Sequence, residues 1–484
     1  MASQALERAW ARQQQRAGDR WRPRFHISVP SGWLNDPNGF SLDRGVYRLF
    51  YQYHPYSTVW GPMHWGYCTS RDMILWREEP AALAPDTVAD AEGCFSGTAV
   101  THRRKLYLMY TGVCVRDGET VQQQCLAVSK DRAHFVKNPG NPVIPLALLP
   151  VGASPQDFRD PKVRAARGGF DAIVASRGPA GGRLLRFSSP DLRVWRYRGV
   201  YLDGLADMAE CPDAFRLQGR DVVIACQMGA EPQACGPAQP VTGFVGVERR
   251  GRFQPVSPSQ ALEQGLDFYA PQTTQTADGR RVMIGWMCRW GLVTPMHTQG
   301  CGWNGILSIP RELTLNRQGR LCQQPVEELN AYRAQARDWP PFALCDGQKV
   351  LVEQGPPSMD VALAFTLAKG ATLTLCVLRT GDEQATVTCS HGLLRVDRSA
   401  CGFPFTADGG PEPCAHAEAP IPMVDGRVTL RVVVDGSTVE VFAQDGSVVM
   451  SMLACPKGED YGFALVADGR VSVERCTLWP LVMG

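Results

Sequence analysis

Trp33-Leu34-Asn35-Asp36-Pro37-Asn38-Gly39, close to the start of the 484-residue chain, is the stretch on which the rest of the reading turns. Pro37 fixes its own φ, and Asn38-Gly39 tolerate the backbone values of a sharp reversal. The stretch therefore predicts a tight turn that holds the Asp36 carboxylate outward at the end of an extended segment. Turn chemistry alone would make Asp-Pro-Asn-Gly ordinary. Two more carboxylates stand in similarly marked surroundings: Asp160 in Asp157-Phe158-Arg159-Asp160-Pro161-Lys162, and Glu210 in Ala209-Glu210-Cys211-Pro212-Asp213-Ala214-Phe215.

Outward from these motifs, short apolar or alternating runs sit between Asp, Gly, Asn and Pro. Val46–Tyr51, Lys105–Tyr110, Val222–Cys226 and Arg281–Trp286 are examples, and they predict strands. The marked positions Asp36, Ser96, Asp160, Glu210 and Tyr269 recur at intervals of roughly 50 to 65 residues, the size of one four-stranded propeller blade with its loops. An all-β ring of blades follows, with the period leaving the blade count loose; first strands lining a central funnel would let distant residues meet. Pro325–Arg333 reads as a short helical connector ending before Pro340-Pro341. Beyond it, Thr372–Leu378, Val428–Val434 and Val471–Glu474 include period-two alternation, as half-buried antiparallel strands do, and a β-sandwich of about 140 residues fits. The expected division is an N-terminal, helical extension over 1–22, a propeller over 23–322, a connector over 323–341 and a sandwich over 342–484. Gly229 to Gly243, rich in Pro, Gly, Ala and Gln, is expected to be a loop within the fourth blade.

Composition narrows the partners. Fifty basic and 48 acidic residues, interspersed, give a net charge of +2, so neither nucleic acid nor another polyanion is expected. Seventeen cysteines, an odd number without any Cys-x-x-Cys pair, predict free thiols in a reducing cytoplasm. The first 22 residues lack the apolar core of a signal peptide, and no run of 18 apolar residues predicts a membrane span. A soluble, cytoplasmic protein is the expectation, and a homo-oligomer is compatible with it. The eight histidines carry no metal signature, His54 and His64 being read as structural, so neither metal nor cofactor is expected.

The three carboxylate motifs occur in order with Phe50–Pro55, Trp60–Gly66, Phe95-Ser96-Gly97, Asp267–Gln272, Ile284–Met287, Leu307–Leu313 and, far downstream, Val439-Glu440-Val441-Phe442 followed by Asp445-Gly446. Together they make the chain resemble glycoside hydrolase family 32, the invertase, sucrose-6-phosphate hydrolase and fructanase family, from about Arg22 to near the C-terminus. The resemblance implies a five-bladed β-propeller followed by a β-sandwich. It also implies a retaining β-fructofuranosidase acting on sucrose, sucrose 6-phosphate or short fructo-oligosaccharides. Breaking a ketosidic bond builds positive charge at the anomeric carbon, which calls for an attacking carboxylate, an acid for the leaving oxygen and fixed negative charge nearby. By resemblance, Asp36 is the nucleophile, Glu210 the acid and then base, and Asp160 the transition-state stabiliser. Retention through a covalent intermediate needs the Asp36 and Glu210 carboxyls roughly 5 Å apart. Burial and the charge of Asp36 are expected to raise the Glu210 pKa while Asp36 stays ionised.

Further substrate contacts carried by the resemblance are Trp33, Asn35, Gln52, Trp60, Phe95, Ser96, Arg159 and Trp286. Trp290 is a further aromatic candidate, Trp65 and Trp76 are packing, and Asp267 is read either as a partner that holds Arg159 or as one member of a rim ion pair elsewhere. Two departures from the family pattern, Ala209 before Glu210 and Tyr67 after Trp65-Gly66, bear on the leaving-group side. Transfer of the fructosyl group to a sugar hydroxyl, and a catalytically silent sugar-binding propeller, are the alternatives.

Overall fold

The computed structural model describes residues 3–230, 239–407, 409–459 and 461–483. Residues 231–238, within the expected loop Gly229 to Gly243, therefore lie outside the described part, between strands that end at Met228 and begin at Val241.

Five antiparallel sheets make up the first domain. Blade I contains Gly32–Asp43, Val46–His54, His64–Ser70 and Arg77–Leu83; blade II runs from Gly93–His102 to Val136–Lys137; blade III from Phe158–Ala166 to Arg196–Leu202. Blade IV starts at Met208–Leu217, and blade V at Tyr269–Gln275, closing with Arg311–Leu315 and Leu321–Pro325. The first strand of each blade touches the first strands of the blades on either side, so the five of them form a closed inner ring. Ring closure is made twice. Ile27–Ser28, before blade I in sequence, pairs with Leu307 and Ile306 in blade V, whereas Trp303–Asn304 pairs in parallel with Gly32–Trp33 of blade I.

Every inner strand breaks register at the same level. The shifts fall between Leu34 and Pro37, Phe95 and Gly97, Arg159 and Lys162, Glu210 and Asp213, and Tyr269 and Gln272. A bulge leaves residues unpaired and re-aims a side chain. Proline suits such a site, because it has no N–H to give to the ladder. Pro37, Pro161, Pro212 and Pro271 stand at four of the five bulges, and Asp160, Cys211 and Ala270 take left-handed φ of 62°, 48° and 50° there. The expected tight turn at Asp36-Pro37-Asn38-Gly39 is thus corrected. The segment is a twice-bulged stretch inside the innermost strand Gly32–Asp43, whose hairpin reversal comes later, at Arg44-Gly45.

The helix Gln4–Gln13 packs Leu6 and Ala9 against Ala81 and Ala84 of blade I. The connector is shorter than 323–341, because Leu321–Pro325 completes blade V and Arg337–Trp339 already pairs with the sandwich strand Gly462–Pro480. In place of the expected helix is a 3-10 segment, Glu327–Tyr332. In the sandwich, Gly462–Pro480 pairs with Thr372–Thr380 along its first half and Ser358–Leu367 along its second, tying the layers around one apolar core.

Sandwich and propeller meet across buried charge. Arg311, fully buried, donates to Glu440 of the sandwich (Nε to Oε2, 2.8 Å) and to Glu263 of the propeller (Nη1 to Oε2, 2.9 Å). His26 lies between Asp435 and Glu440, 2.8 Å from each. Burial alone would lower its pKa, but the two carboxylates outweigh that and push it up to about 9.

Candidate active site

The five inner-strand bulges put Asp36, Ser96, Asp160, Glu210 and Tyr269 around one end of the ring axis. Ser96 Oγ donates to Asp36 Oδ2 at 2.7 Å, and Asn35 Nδ2 donates to Oδ1 at 3.0 Å. The Asp160 amide donates to Thr111 Oγ1 (2.9 Å), and the Cys211 amide donates to Asp160 Oδ2 (2.9 Å). The Cys211 thiol lies 3.5 Å from Asp36 Oδ2 and 3.7 Å from Asp160 Oδ2, so one sulfur joins the two carboxyls. Its neighbour Glu210 accepts from Arg159 Nε on Oε1 (3.0 Å) and from the Tyr269 hydroxyl on Oε2 (2.7 Å). Arg159 is held in turn by Gln122 Oε1 and Asp157 Oδ1, each at 3.1 Å.

Burial and crowding set the charges. Desolvation, partly offset by the Ser96 hydrogen bond and reinforced by the charge of Glu210, raises Asp36 to about 6. Desolvation and then Glu210 raise Asp160 to about 7, against the pull of Arg159. The Cys211 thiol and the Tyr269 phenol are pushed well above their ordinary values by burial, so both are neutral donors.

The three carboxyls, with Asn35, Ser96 and Arg159, line a cavity of about 290 Å³. Asn35, Gln52, Ser96 and the Asp36 and Asp160 carboxyls are deep; Trp60, 47% exposed, with Phe95 and Trp290, stands towards the mouth. A sugar fits such a space, with polar groups below and aromatic faces above. A larger cavity of about 870 Å³, between Arg16–Ser28 and the sandwich, holds none of the three carboxyls.

Several expected contacts sit elsewhere. Trp286 is fully buried behind the cavity wall, between Trp33 and Trp290 at ring-centroid distances of 5.8 and 5.2 Å. Trp33 is likewise buried and acts through its Nε1–H, which donates to Asn35 Oδ1 at 2.9 Å. Asp267 does not hold Arg159: it pairs with Arg398 of the sandwich and accepts the Leu453 amide at 2.8 Å. Tyr67 stacks on Phe50 at 4.4 Å, and Ala209 lies buried in a core cluster with Leu184 and Met208. Cys211, Gln122, Thr111 and the role of Tyr269 were missed. Only adjacency to Glu210, and Tyr269 as the fifth position of the blade period, gave any signal for two of them.

Three clustered carboxyls with neutral donors and an arginine, beneath a sugar-sized cavity on a propeller axis, define a glycoside-cleaving enzyme. Residues 26–325 match the glycosyl hydrolases family 32 N-terminal domain and residues 342–480 the glycosyl hydrolases family 32 C terminal, and the chain belongs to that family. It is 34% identical to the sucrose-6-phosphate hydrolase of Escherichia coli, covering 99% of this chain and 98% of that protein. It is 33% identical to the raffinose invertase of Escherichia coli, over 99% and 98%. A β-fructofuranosidase of Bombyx mori superposes with a TM-score of 0.81 at 31% identity, covering 98% and 97% of the two chains. Among the described residues, no helix is long and apolar enough to cross a membrane.

Proposed function

We propose that the protein is a retaining β-fructofuranosidase that hydrolyses sucrose or sucrose 6-phosphate, with Asp36 as nucleophile, Glu210 as acid and base, and Asp160 as stabiliser of the fructosyl cation. The observation that carries this is the thiol of Cys211, which draws Asp36 and Asp160 onto one sulfur while the next residue back, Glu210, faces them from between Arg159 and Tyr269. The fructosyl unit enters first and occupies the floor. Asp36 attacks its anomeric carbon, Glu210 gives its proton to the glucosyl oxygen, and the bond to that oxygen breaks. Asp160, whose carboxyl accepts the Cys211 amide and whose own amide is held by Thr111 Oγ1, holds negative charge beside the developing cation. Glu210 then takes a proton from water, which displaces Asp36 and restores the configuration. The E. coli relatives named for sucrose 6-phosphate and raffinose agree with fructosides of a small leaving group, and the free thiols among the described residues suit a reducing, cytoplasmic setting.

The test is Asp36→Ala, assayed with sucrose and with sucrose 6-phosphate beside circular dichroism. Loss of turnover by at least about 10⁴-fold on an intact fold is expected; wild-type turnover would overturn the assignment. With methanol present, the wild-type enzyme should yield methyl β-fructofuranoside, and the α anomer would exclude retention. A tenfold preference between the two sugars, equal to about 1.4 kcal/mol in the transition state, decides which is the substrate.

A further inference from the structure

Trp290 stands at the cavity mouth, yet no propeller strand holds it. It follows the last strand residue, Trp286, in a segment leading to Leu292–Val293, and that short strand pairs with Thr406–Ala407 of the sandwich. Thr406–Ala407 itself pairs with Gly410–Pro411, and the next residue, Glu412, accepts a hydrogen bond from Arg289 Nη2 at 2.7 Å. Glu412 is in turn gripped by Arg398, whose Nε donates to Oε2 at 3.1 Å and whose Nη1 donates to the Leu453 carbonyl at 2.9 Å. The Arg289–Glu412 pair is largely shielded, with side-chain exposures of 13% and 5%. A shielded ion pair one residue before Trp290 and a strand pair two residues after it thus fasten this segment to the other domain. Among the described residues, Trp290 also meets Trp286 at a ring-centroid distance of 5.2 Å and Gln239, whose Oε1 accepts the Trp290 amide at 3.2 Å.

We infer that the sandwich sets the leaving-group side of the active site, with Arg289 and Glu412 acting as positioning residues for Trp290. The inference rests on the function proposed above. In a blind cavity whose floor carries the attacking carboxyl, the departing sugar faces the mouth, where Trp290 offers an aromatic surface. The sandwich then takes part in recognition as well as in packing. Arg289 is the cleaner point of attack, because Glu412 keeps Arg398 when Arg289 is removed.

Arg289→Ala in the full chain should raise KM for sucrose at least about threefold with kcat within about twofold, while kcat/KM for methyl β-D-fructofuranoside, with almost no leaving group to position, changes less than about twofold. Arg289→Lys should restore the sucrose KM. Trp290→Ala should show the same selective loss, and the Arg289→Ala/Trp290→Ala pair should be no worse than Trp290→Ala alone. Glu412→Gln tests the same link from the sandwich side if Arg289→Ala does not fold. Equal losses on both fructosides, or additive losses in the double variant, would overturn the inference. A wild-type enzyme inactive on both fructosides would instead overturn the proposed function.

Discussion

At the scale of the residue, the site stores electrostatic cost. Asp36 is raised to about 6 by burial, and a carboxyl bound more tightly to its proton in the folded state contributes stability below its unfolded pKa that is lost as pH rises through the folded one. Above pH 6 the ionised Asp36 therefore burdens the fold. Asp36→Asn should melt higher than the wild type at pH 8 by roughly 2–3 kcal/mol of relieved desolvation, with the gap narrowing at pH 5; a variant melting below the wild type at pH 8 would refute this. In the proposed mechanism attack needs the Asp36 carboxylate, so kcat/KM should fall as pH drops below about 6. Ser96→Ala, which removes the hydrogen bond favouring the ionised form, should move that limb to higher pH. That the three acids would meet in one cavity was legible because each stood in a marked motif. Cys211 was not, since a buried thiol between two carboxyls leaves no pattern in sequence beyond its place beside Glu210.

At the scale of the element, the working part is the bulged inner strand. Strand positions and their spacing could be read from alternation, but the five bulges could not: a bulge changes pairing without changing periodicity enough to see. The same motif was accordingly taken for a turn, since proline, asparagine and glycine serve both purposes. Gly97 shows how tight the device is. A Cβ there would come within 2.0 Å of the Met109 carbonyl oxygen, on the neighbouring strand. Gly97→Ala should therefore cost on the order of 2–4 kcal/mol in denaturant unfolding and lower kcat by displacing Ser96; unchanged stability would mean that the strands can part without penalty.

At the scale of the whole molecule, the change in strand character beyond the connector was visible in sequence, whereas the charged interface was not. Nothing near Glu440 in sequence points to His26 or Arg311. Arg311→Leu leaves Glu263 buried without its cation and Glu440 with His26 alone, and should cost about 3–5 kcal/mol by thermal or chemical unfolding, affecting both domains together. The pH dependence has a definite sign. The contribution of His26, raised to about 9, is complete below its unfolded value near 6.5 and disappears as pH climbs through 9. Asp435 and Glu440, both lowered by His26 and, for Glu440, first by Arg311, contribute above the ordinary carboxylate range and lose that contribution in acid. Stability should therefore peak between about pH 5 and 8, and a melting temperature still rising at pH 10 would contradict the role of His26. The connectivity also dictates an order of assembly during synthesis. Ile27–Ser28 must wait for Ile306–Leu307 before the ring can shut, and the sandwich waits for Gly462–Pro480, which pairs with strands from both layers. Nascent chains that stall before Gly462–Pro480 emerges will therefore carry an open sandwich and be natural clients of chaperones and proteases.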